Sequence, residues 1–258
     1  MQTFSSQTLE SIYYAAELLS KARHAVVLTG AGLSTPSGIP DFRSEGSGLW
    51  SRDEPLEVAS MTTFRTRPTQ FFQWFQPLAS QIFNALPNPA HYAIAHLEQK
   101  GRIQAVITQN IDMLHQKAGS RRVIEMHGTL RTLSCTQCYR QQGYENYLPA
   151  FIQNGQIPHC PHCGAILKPD VILFGEQLPQ KSWFEAQRET RACDLMIVAG
   201  SSLEVLPVAG LPMQAIDRGA HLIIINNNMT YLNVRADVVL REDVAAVLPA
   251  ISERVQNA

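Results

Sequence analysis

An excess of charge of either sign is missing from this sequence. Lys and Arg total 21 against 22 Asp and Glu, the formal net charge is −1, and no long basic or acidic run appears. A nucleic-acid-binding surface is therefore not indicated. Long apolar runs are missing too; none approaches the roughly 20 residues that cross a bilayer, so no membrane association is expected. The opening stretch MQTFSSQTLESIYYAAELL lacks a basic segment followed by a long apolar core and carries Glu10 and Glu17 instead. It reads as an amphipathic helix rather than a secretory signal. Internal repeats and low-complexity tracts are absent. These absences point to a soluble cytoplasmic protein whose thiols stay reduced. At 258 residues and 45% hydrophobic, the chain suits one large α/β domain, alone or with an insertion.

What the chain does contain is alternation. Leu9, Ile12, Tyr13, Ala16 and Leu19 recur at helical spacing, so residues 8–22 are expected to form a first helix. HAVVLTG (24–30) is a short, continuous apolar run with β-branched residues, the texture of a strand buried on both faces of a parallel sheet. The same texture returns at 103–110, 121–128, 194–200, 220–228 and 236–240. Helical patterns lie between: 90–100 after the Asn88-Pro89 cap, QKSWFEAQRETRA, VAGLPMQAIDRG ending at Gly219, and REDVAAVLPAISERV. Strands alternating with helices predict a doubly wound parallel sheet. Two segments break the pattern. Residues 44–86, rich in Phe, Trp, Gln and Pro, are expected to be a mostly helical insertion, and residues 131–168 a small metal-stapled module.

Cysteine is scarce but patterned. Cys135-x-x-Cys138 and Cys160-x-x-Cys163 are separated by residues 139–159, and Cys193 stands alone in an apolar context. Two such knuckles close four thiolates around one tetrahedral zinc with no open position, which makes the ion structural. Free or redox-active thiols are the alternative; a thioredoxin-like role is disfavoured because neither pair opens a helix after a strand. His159 and His162 are taken as flanking residues.

VVLTGAGLSTPSGIPDFR (26–43) begins like a dinucleotide site: a strand runs into Gly30-Ala31-Gly32, whose N–H groups, with a helix start behind them, would accept a pyrophosphate. The third glycine of G-x-G-x-x-G is missing, because Thr35 occupies its place, and Ser34 and Thr35 can supply hydroxyls instead. An acidic residue for the ribose, about 20 residues on at a second strand end, is also not evident, so hydride transfer loses support. TQNIDMLH puts Gln109, Asn110 and Asp112 at a strand's carboxyl end, where ligand groups gather. They either cap the next helix or face an amide and a ribose. VIEMHG places His127 at another strand end, a better candidate for a base than the other histidines. GSSLEV (200–205) and INNN (225–228) add small and polar groups at two further strand ends.

Together GAGLSTPSGIPDFR, TQNIDMLH, the HG after a strand, the paired C-x-x-C knuckles, KPDVILFGE, GSSLEV and IINNN resemble, in order and over nearly the whole chain, the sirtuin family of NAD-dependent protein deacylases. The likeness is to the minimal catalytic core of bacterial or archaeal type. It implies an α/β fold: a Rossmann-like NAD-binding domain (1–43, 87–130 and 169–258), a helical insertion (44–86) and a zinc-binding module (131–168). NAD, consumed as a co-substrate, and an acyl-lysine protein or peptide would meet in the cleft between them.

The resemblance places adenosine and phosphates near Gly30, Ala31, Gly32, Thr35, Gly200, Ser201, Ser202, Asn226 and Asn227, with Asp243 and Val244 near the adenine. Nicotinamide would lie among Ala31, Ile39, Phe42, Asn110, Ile111 and Asp112, with Asp112 holding the carboxamide. Asp41 belongs to the same acidic, aromatic and basic cluster, and Arg43 and Gln109 face the phosphate and ribose sides. Asn110, Asp112 and His127 form the implied catalytic set, His127 taking a proton from the ribose hydroxyls. The implied products are nicotinamide, deacylated lysine and O-acyl-ADP-ribose.

The peptide would add as a strand between Val171–Glu176 (Val171, Ile172, Phe174, Gly175 and Glu176 as contacts) and the loop carrying Leu203, Glu204 and Val205. Its acyl chain would thread past Phe42, Ile111, His127, Ile172 and Phe174. Sirtuins that prefer acidic acyl groups carry Tyr-x-x-Arg in the insertion, where this sequence has Phe75-Gln76-Pro77-Leu78. A buried succinyl carboxylate would lack a partner, at a cost on the order of several kcal/mol, so uncharged acyl groups are expected. ADP-ribosyl transfer, NAD hydrolysis and a non-enzymatic NAD-binding module are the competing readings.

Overall fold

Strands that are buried at every position must be covered on both faces, and the chain's central strands are of that kind. In the computed structural model, which describes residues 4–41 and 55–256, β1 (Ala25–Thr29), β2 (Ala105–Thr108) and β7 (Leu195–Ala199) are buried throughout. They join β3 (Val123–Glu125), β8 (His221–Ile225) and β9 (Val238–Leu240) in a parallel sheet of order β3-β2-β1-β7-β8-β9. The chain starts in the middle, winds outward to β3, returns beside β1 at β7 and winds outward again. The β1/β7 boundary is thus the topological switch point, where the carboxyl ends of an open α/β sheet leave a crevice.

Helices cover both faces. On one, α1 (Ser6–Lys21), α5 (Pro89–Gln99) and α10 (Val244–Gln256) pack Ile12, Leu19, Ile94, Leu97, Val247 and Ile251 against Val27, Val106 and Ile197. On the other, α8 (Gln180–Ala192) and α9 (Leu211–Ile216) lie over Val26, Leu28, Met196 and Ile224. Cys193 is buried there, its Sγ within reach of the Thr190 carbonyl, and burial pushes its thiol up to about 12. It is a core thiol.

The amphipathic first helix expected over 8–22 runs over Ser6–Lys21, because Ser5 caps it by accepting the Thr8 N–H. Asn88 likewise caps α5, with Pro89 at the first turn. The end of VAGLPMQAIDRG is helical only at Leu211–Ile216, after a single 3₁₀ turn at Val208–Gly210.

Beyond the sheet, α2 (Pro55–Val58), α3 (Met61–Thr66) and α4 (Pro68–Asn84) form a helical layer whose Phe64, Phe71, Phe72 and Phe75 rings stack edge-on and face-on. Residues 44–54 of the expected insertion lie outside the described residues. A second sheet, antiparallel and of order β5-β4-β6, is built from β4 (Gly128–Cys135), β5 (Gln141–Gly143) and β6 (Leu167–Val171). The short helices α6 (Leu114–Lys117) and α7 (Leu148–Asn154) complete the chain, and Phe151 of α7 packs on Phe72 and Phe75. No described helix is long and apolar enough to cross a membrane.

Candidate active site

The parallel register aligns the strand ends. Thr29 pairs with Thr108 on one side and Ala199 on the other, Thr108 with Glu125, and Ala199 with Ile225. Gly30, Gln109, His127, Gly200, Ser201 and Asn226 therefore leave the sheet along a common edge.

The glycine turn is built differently from the expectation. No α-helix starts behind it; residues 31–33 and 35–37 form two 3₁₀ turns. Nor are all three N–H groups aimed outward. Gly30 N–H donates to the Ala199 carbonyl (3.2 Å) and Gly32 N–H to that of Gly200 (2.9 Å). The close packing that a third glycine would have allowed comes from the neighbouring strand. Gly200 has φ +62, and a Cβ there would lie 2.2 Å from the Leu33 nitrogen. Glycines 170 residues apart in sequence cooperate in one close approach, which no local motif displays.

Behind that turn runs a polar network. Ser34 Oγ donates to Asp112 Oδ2 at 2.6 Å, and Asn110 Nδ2 donates to the Gly30 carbonyl (2.9 Å) and to Ser34 Oγ (3.1 Å). Asp112 Oδ1 also accepts the Leu114 N–H at the first turn of α6, while its Oδ2 faces the glycine loop. Burial pushes its carboxyl pKa up, opposed by the Ser34 hydroxyl and the Leu114 N–H. Gln109 Nε2 donates to Ser201 Oγ at 2.9 Å and bridges the ends of β2 and β7.

His127 Nδ1 lies 3.0 Å from the Gln109 carbonyl oxygen. A carbonyl can only accept, so the proton sits on Nδ1 and the lone pair on Nε2. Burial lowers this ring's pKa, with the carbonyl working in the opposite direction, so the imidazole is neutral near pH 7.

Asn88, expected only as a helix cap, also donates to the Leu33 carbonyl (2.8 Å) and Ser37 Oγ (2.9 Å), fastening the glycine loop to α5. Thr29 Oγ1 donates to Thr108 Oγ1, and His115 Nε2 lies 2.9 Å from Thr29 Oγ1. Asn88, Thr29 and His115 carry no sequence signal for the site, and Ser34, expected to supply a hydroxyl, gives it to Asp112. The motif containing Ser34 was visible, but its partner Asp112 is joined to it only by the fold.

The other expected positions fall as follows. Ile39 is buried and Ile111 packs against the same cluster on the insertion side. Thr35 Oγ1 donates back to the Gly32 carbonyl. Ala31 and Asp41 lie on the same glycine-to-proline loop, and Phe42 and Arg43 lie outside the described residues. Asn226 donates to the Asn228 carbonyl and the Asn227 carbonyl faces Arg241. Asp243 accepts the Ala245 N–H at the start of α10, where Val244 is buried in the core. Ser202, Glu204 and Val205 follow Ser201 on a loop in which Leu203 takes φ 56, a left-handed strain of the kind that gathers at clefts.

On the other wall, Ile172 N–H donates to the His127 carbonyl (2.9 Å). Phe174 is already strand-paired: its N–H donates to Ala59 O (3.0 Å) and its carbonyl accepts from Met61 N–H (2.9 Å). This side of the Phe174 backbone is therefore occupied by the insertion. Glu176 turns its carboxylate inward, to the Leu173 N–H and Lys168 Nζ, both at 2.9 Å.

The four paired cysteines converge: their sulfurs all lie within 4.8 Å of one another, with Cys135–Cys163 at 3.4 Å and Cys138–Cys160 at 3.7 Å. Four thiolates about 2.3 Å from a tetrahedral zinc stand about 3.8 Å apart, so this set fits the ion without rearrangement. The N–H groups of Cys138 and Gln137 both point at the Cys135 sulfur, at 3.4 Å each, as they would at a thiolate ligand. His159 Nδ1 engages the Ile157 carbonyl instead.

The model of the Sir2 family matches residues 30–207. A curated relative, NAD-dependent protein deacylase 2 of Archaeoglobus fulgidus, is 48% identical over 96% of this chain and 97% of its own. A solved structure described as the structural basis for the mechanism and regulation of Sir2 enzymes superposes with a TM-score of 0.89 at 47% identity, covering 96% of this chain and 98% of the other. A complex described as Sir2 with a p53 peptide and NAD+ superposes with a TM-score of 0.86 at 37% identity, covering 95% of this chain and 98% of its own. A glycine turn closed by Gly200, a neutral histidine at the sheet edge and a four-sulfur cage thus sit in a chain that belongs to the Sir2 family.

Proposed function

We propose that this protein is an NAD-dependent protein-lysine deacylase with a preference for uncharged acyl groups. The observation that carries the reading is His127. Its ring is neutral, with the proton fixed on Nδ1 and a free lone pair on Nε2, at the edge where β1, β2, β3 and β7 converge. NAD, when bound, would supply an electrophilic ribose carbon: its bond to nicotinamide would break, nicotinamide would leave, and the amide oxygen of the acyl-lysine would bond that carbon in its place. The chain's own residues do the rest. Gly30, Ala31, Gly32, Thr35, Gly200, Ser201, Ser202, Asn226 and Asn227 hold the adenosine and phosphates, with Asp243 and Val244 at the adenine end. Asp41, Phe42 and Arg43, next in the sequence, serve the same cofactor, Phe42 beside the nicotinamide and Arg43 on the phosphate side. Asn110 and Asp112, rigidly bonded to Ser34, orient the nicotinamide amide beside Ile39 and Ile111. Gln109, held by Ser201, presents the carbonyl that fixes the base. His127 Nε2 takes up a proton from a ribose hydroxyl. The apolar walls exclude water, so that the acyl-lysine rather than solvent is the acceptor.

The peptide docks against Val171–Glu176 and the Leu203–Val205 loop, beside exposed Phe174 and Val205. The acyl selectivity is supported by the helical layer. Phe75 and Leu78 are buried in an apolar cluster and Gln76 is engaged by the Ile152 carbonyl, which leaves no cation there for a carboxylate. Four thiolates hold one structural zinc in the 131–168 module, the third part of the chain beside the insertion (44–86) and the dinucleotide-binding portion (1–43, 87–130 and 169–258).

The test pairs acetyl- and succinyl-lysine peptides with His127→Ala. The wild type should deacetylate faster than it desuccinylates, with an acid limb in kcat/KM below pH 6.5 because burial lowers the His127 pKa. The variant should keep its zinc and fold and lose turnover. Faster desuccinylation removes the acyl preference, and retained activity in the variant removes the assignment of the base.

A further inference from the structure

Lys168 and Glu176 form a largely shielded ion pair across the peptide-docking turn. The Lys168 side chain is 13% exposed and that of Glu176 21%. An ammonium has three donors, and Lys168 Nζ meets three acceptors: the Val171 carbonyl (2.7 Å), Glu176 Oε2 (2.9 Å) and the Pro169 carbonyl (3.1 Å). The same Glu176 oxygen accepts the Leu173 N–H at 2.9 Å. Glu176 N–H in turn donates to the Leu173 carbonyl at 3.0 Å, closing a four-residue turn, Leu173-Phe174-Gly175-Glu176. Gly175 at its third position has φ +89, the left-handed value a type II turn requires there.

The turn is fixed at three points. Lys168 and Glu176 clamp its base. Ala59 and Met61 bond the Phe174 backbone on the outer side, and Ile172 N–H bonds the carbonyl of His127 itself. A shift of the turn would therefore shift whatever docks on it relative to the base. A pair this shielded, whose side chains bond three backbone groups, is not an ordinary surface salt bridge.

We propose that Lys168 and Glu176 are positioning residues that preorganise the peptide-docking turn, so that Glu176 contributes to substrate recognition without touching the substrate through its carboxylate. This rests on the deacylase reading above. Lys168→Met keeps the side-chain length and removes the charge and all three donors. Its peptide KM should rise at least about tenfold, since small misplacements cost that much. The kcat at saturating peptide should fall less than about threefold, and NAD affinity, measured by calorimetry without peptide, should not change. Glu176→Gln keeps an acceptor for the Leu173 N–H and should show a smaller rise, and Lys168→Arg should recover part of the loss. Hydrogen exchange in the free protein gives a readout independent of turnover: the Leu173 and Glu176 amides should exchange faster in Lys168→Met than in wild type. Unchanged protection of those amides overturns the proposal, as does an unchanged peptide KM. A parallel fall in NAD affinity and melting temperature would also overturn it, by making the pair a general stabiliser. A wild type that turns over no acyl peptide would sink the deacylase reading and the recognition role with it, while exchange would still report whether the pair holds the turn.

Discussion

Two histidines are buried behind the glycine loop, and they should make the fold sensitive to acid in a calculable way. His91 is fully buried on α5 and His115 nearly so on α6, with ring centroids 5.0 Å apart. His91 Nδ1 accepts the Asn88 N–H, so its proton is on Nε2, a buried atom with no partner; His115 Nδ1 is likewise buried without one. Burial lowers the His91 pKa to about 4 and that of His115 well below 6.5, the His91 ring adding to the latter. The unfolded chain protonates near 6.5, so between pH 6.5 and 4 it binds a proton at His91 that the fold does not. Stability is then fully present above pH 6.5 and falls as pH drops toward 4. At about 1.4 kcal/mol per unit the whole shift is worth about 3 kcal/mol, and some 2 kcal/mol of it is gone by about pH 5.

The perturbation is His91→Asn, which keeps an acceptor for Asn88 and cannot titrate. Urea unfolding of wild type and variant at pH 7.5, 6.5, 5.5 and 5 gives ΔG at each point. The wild type should lose about 2 kcal/mol more than the variant across that range, whatever zinc loss contributes to both. Equal slopes for the two proteins would refute the reasoning, because His91 would then be titrating in the fold as it does in the unfolded chain.

Asp112→Asn should abolish turnover without lowering the melting temperature at pH 7.5. The buried carboxyl has a raised pKa, so its ionised form works against the fold, and the advantage of Asn should grow as pH rises through the native value and vanish at low pH; a large drop in melting temperature contradicts this. Gly200→Ala drives a Cβ to within 2.2 Å of the Leu33 nitrogen at φ +62, so it should destabilise by about 2 kcal/mol or more and weaken NAD binding; a thermal melt and calorimetry check both. Chelation of zinc should melt the four-cysteine module and suppress activity indirectly. A zinc-free protein with normal activity and melting temperature would remove the structural metal.

Much of this was legible in the sequence because it is local. Continuous apolar runs marked the buried strands, Asn88-Pro89 marked a helix start, and two C-x-x-C pairs marked the sulfur cage. What was hidden depends on residues far apart in the chain. The absent third glycine reads as a departure until Gly200 is found against Leu33. The strand pairing of Phe174 with Ala59 and Met61 could not be seen, since the segment around Ser60 carries no strand pattern and the two lie more than 100 residues apart. Glu176 ends the docking motif, and the inward turn of its carboxylate to Lys168 is set by a tertiary contact that no local pattern displays. The polar network through Ser34, Asn88 and His115 was invisible for the same reason: a buried hydrogen bond leaves no period in the sequence.

The most direct test of the central claim is mass spectrometry of the products formed from an acetyl-lysine peptide and NAD. The account predicts equal amounts of nicotinamide, deacetylated peptide and O-acetyl-ADP-ribose, all dependent on the peptide. Nicotinamide release that ignores the peptide, or the absence of O-acetyl-ADP-ribose, would contradict it.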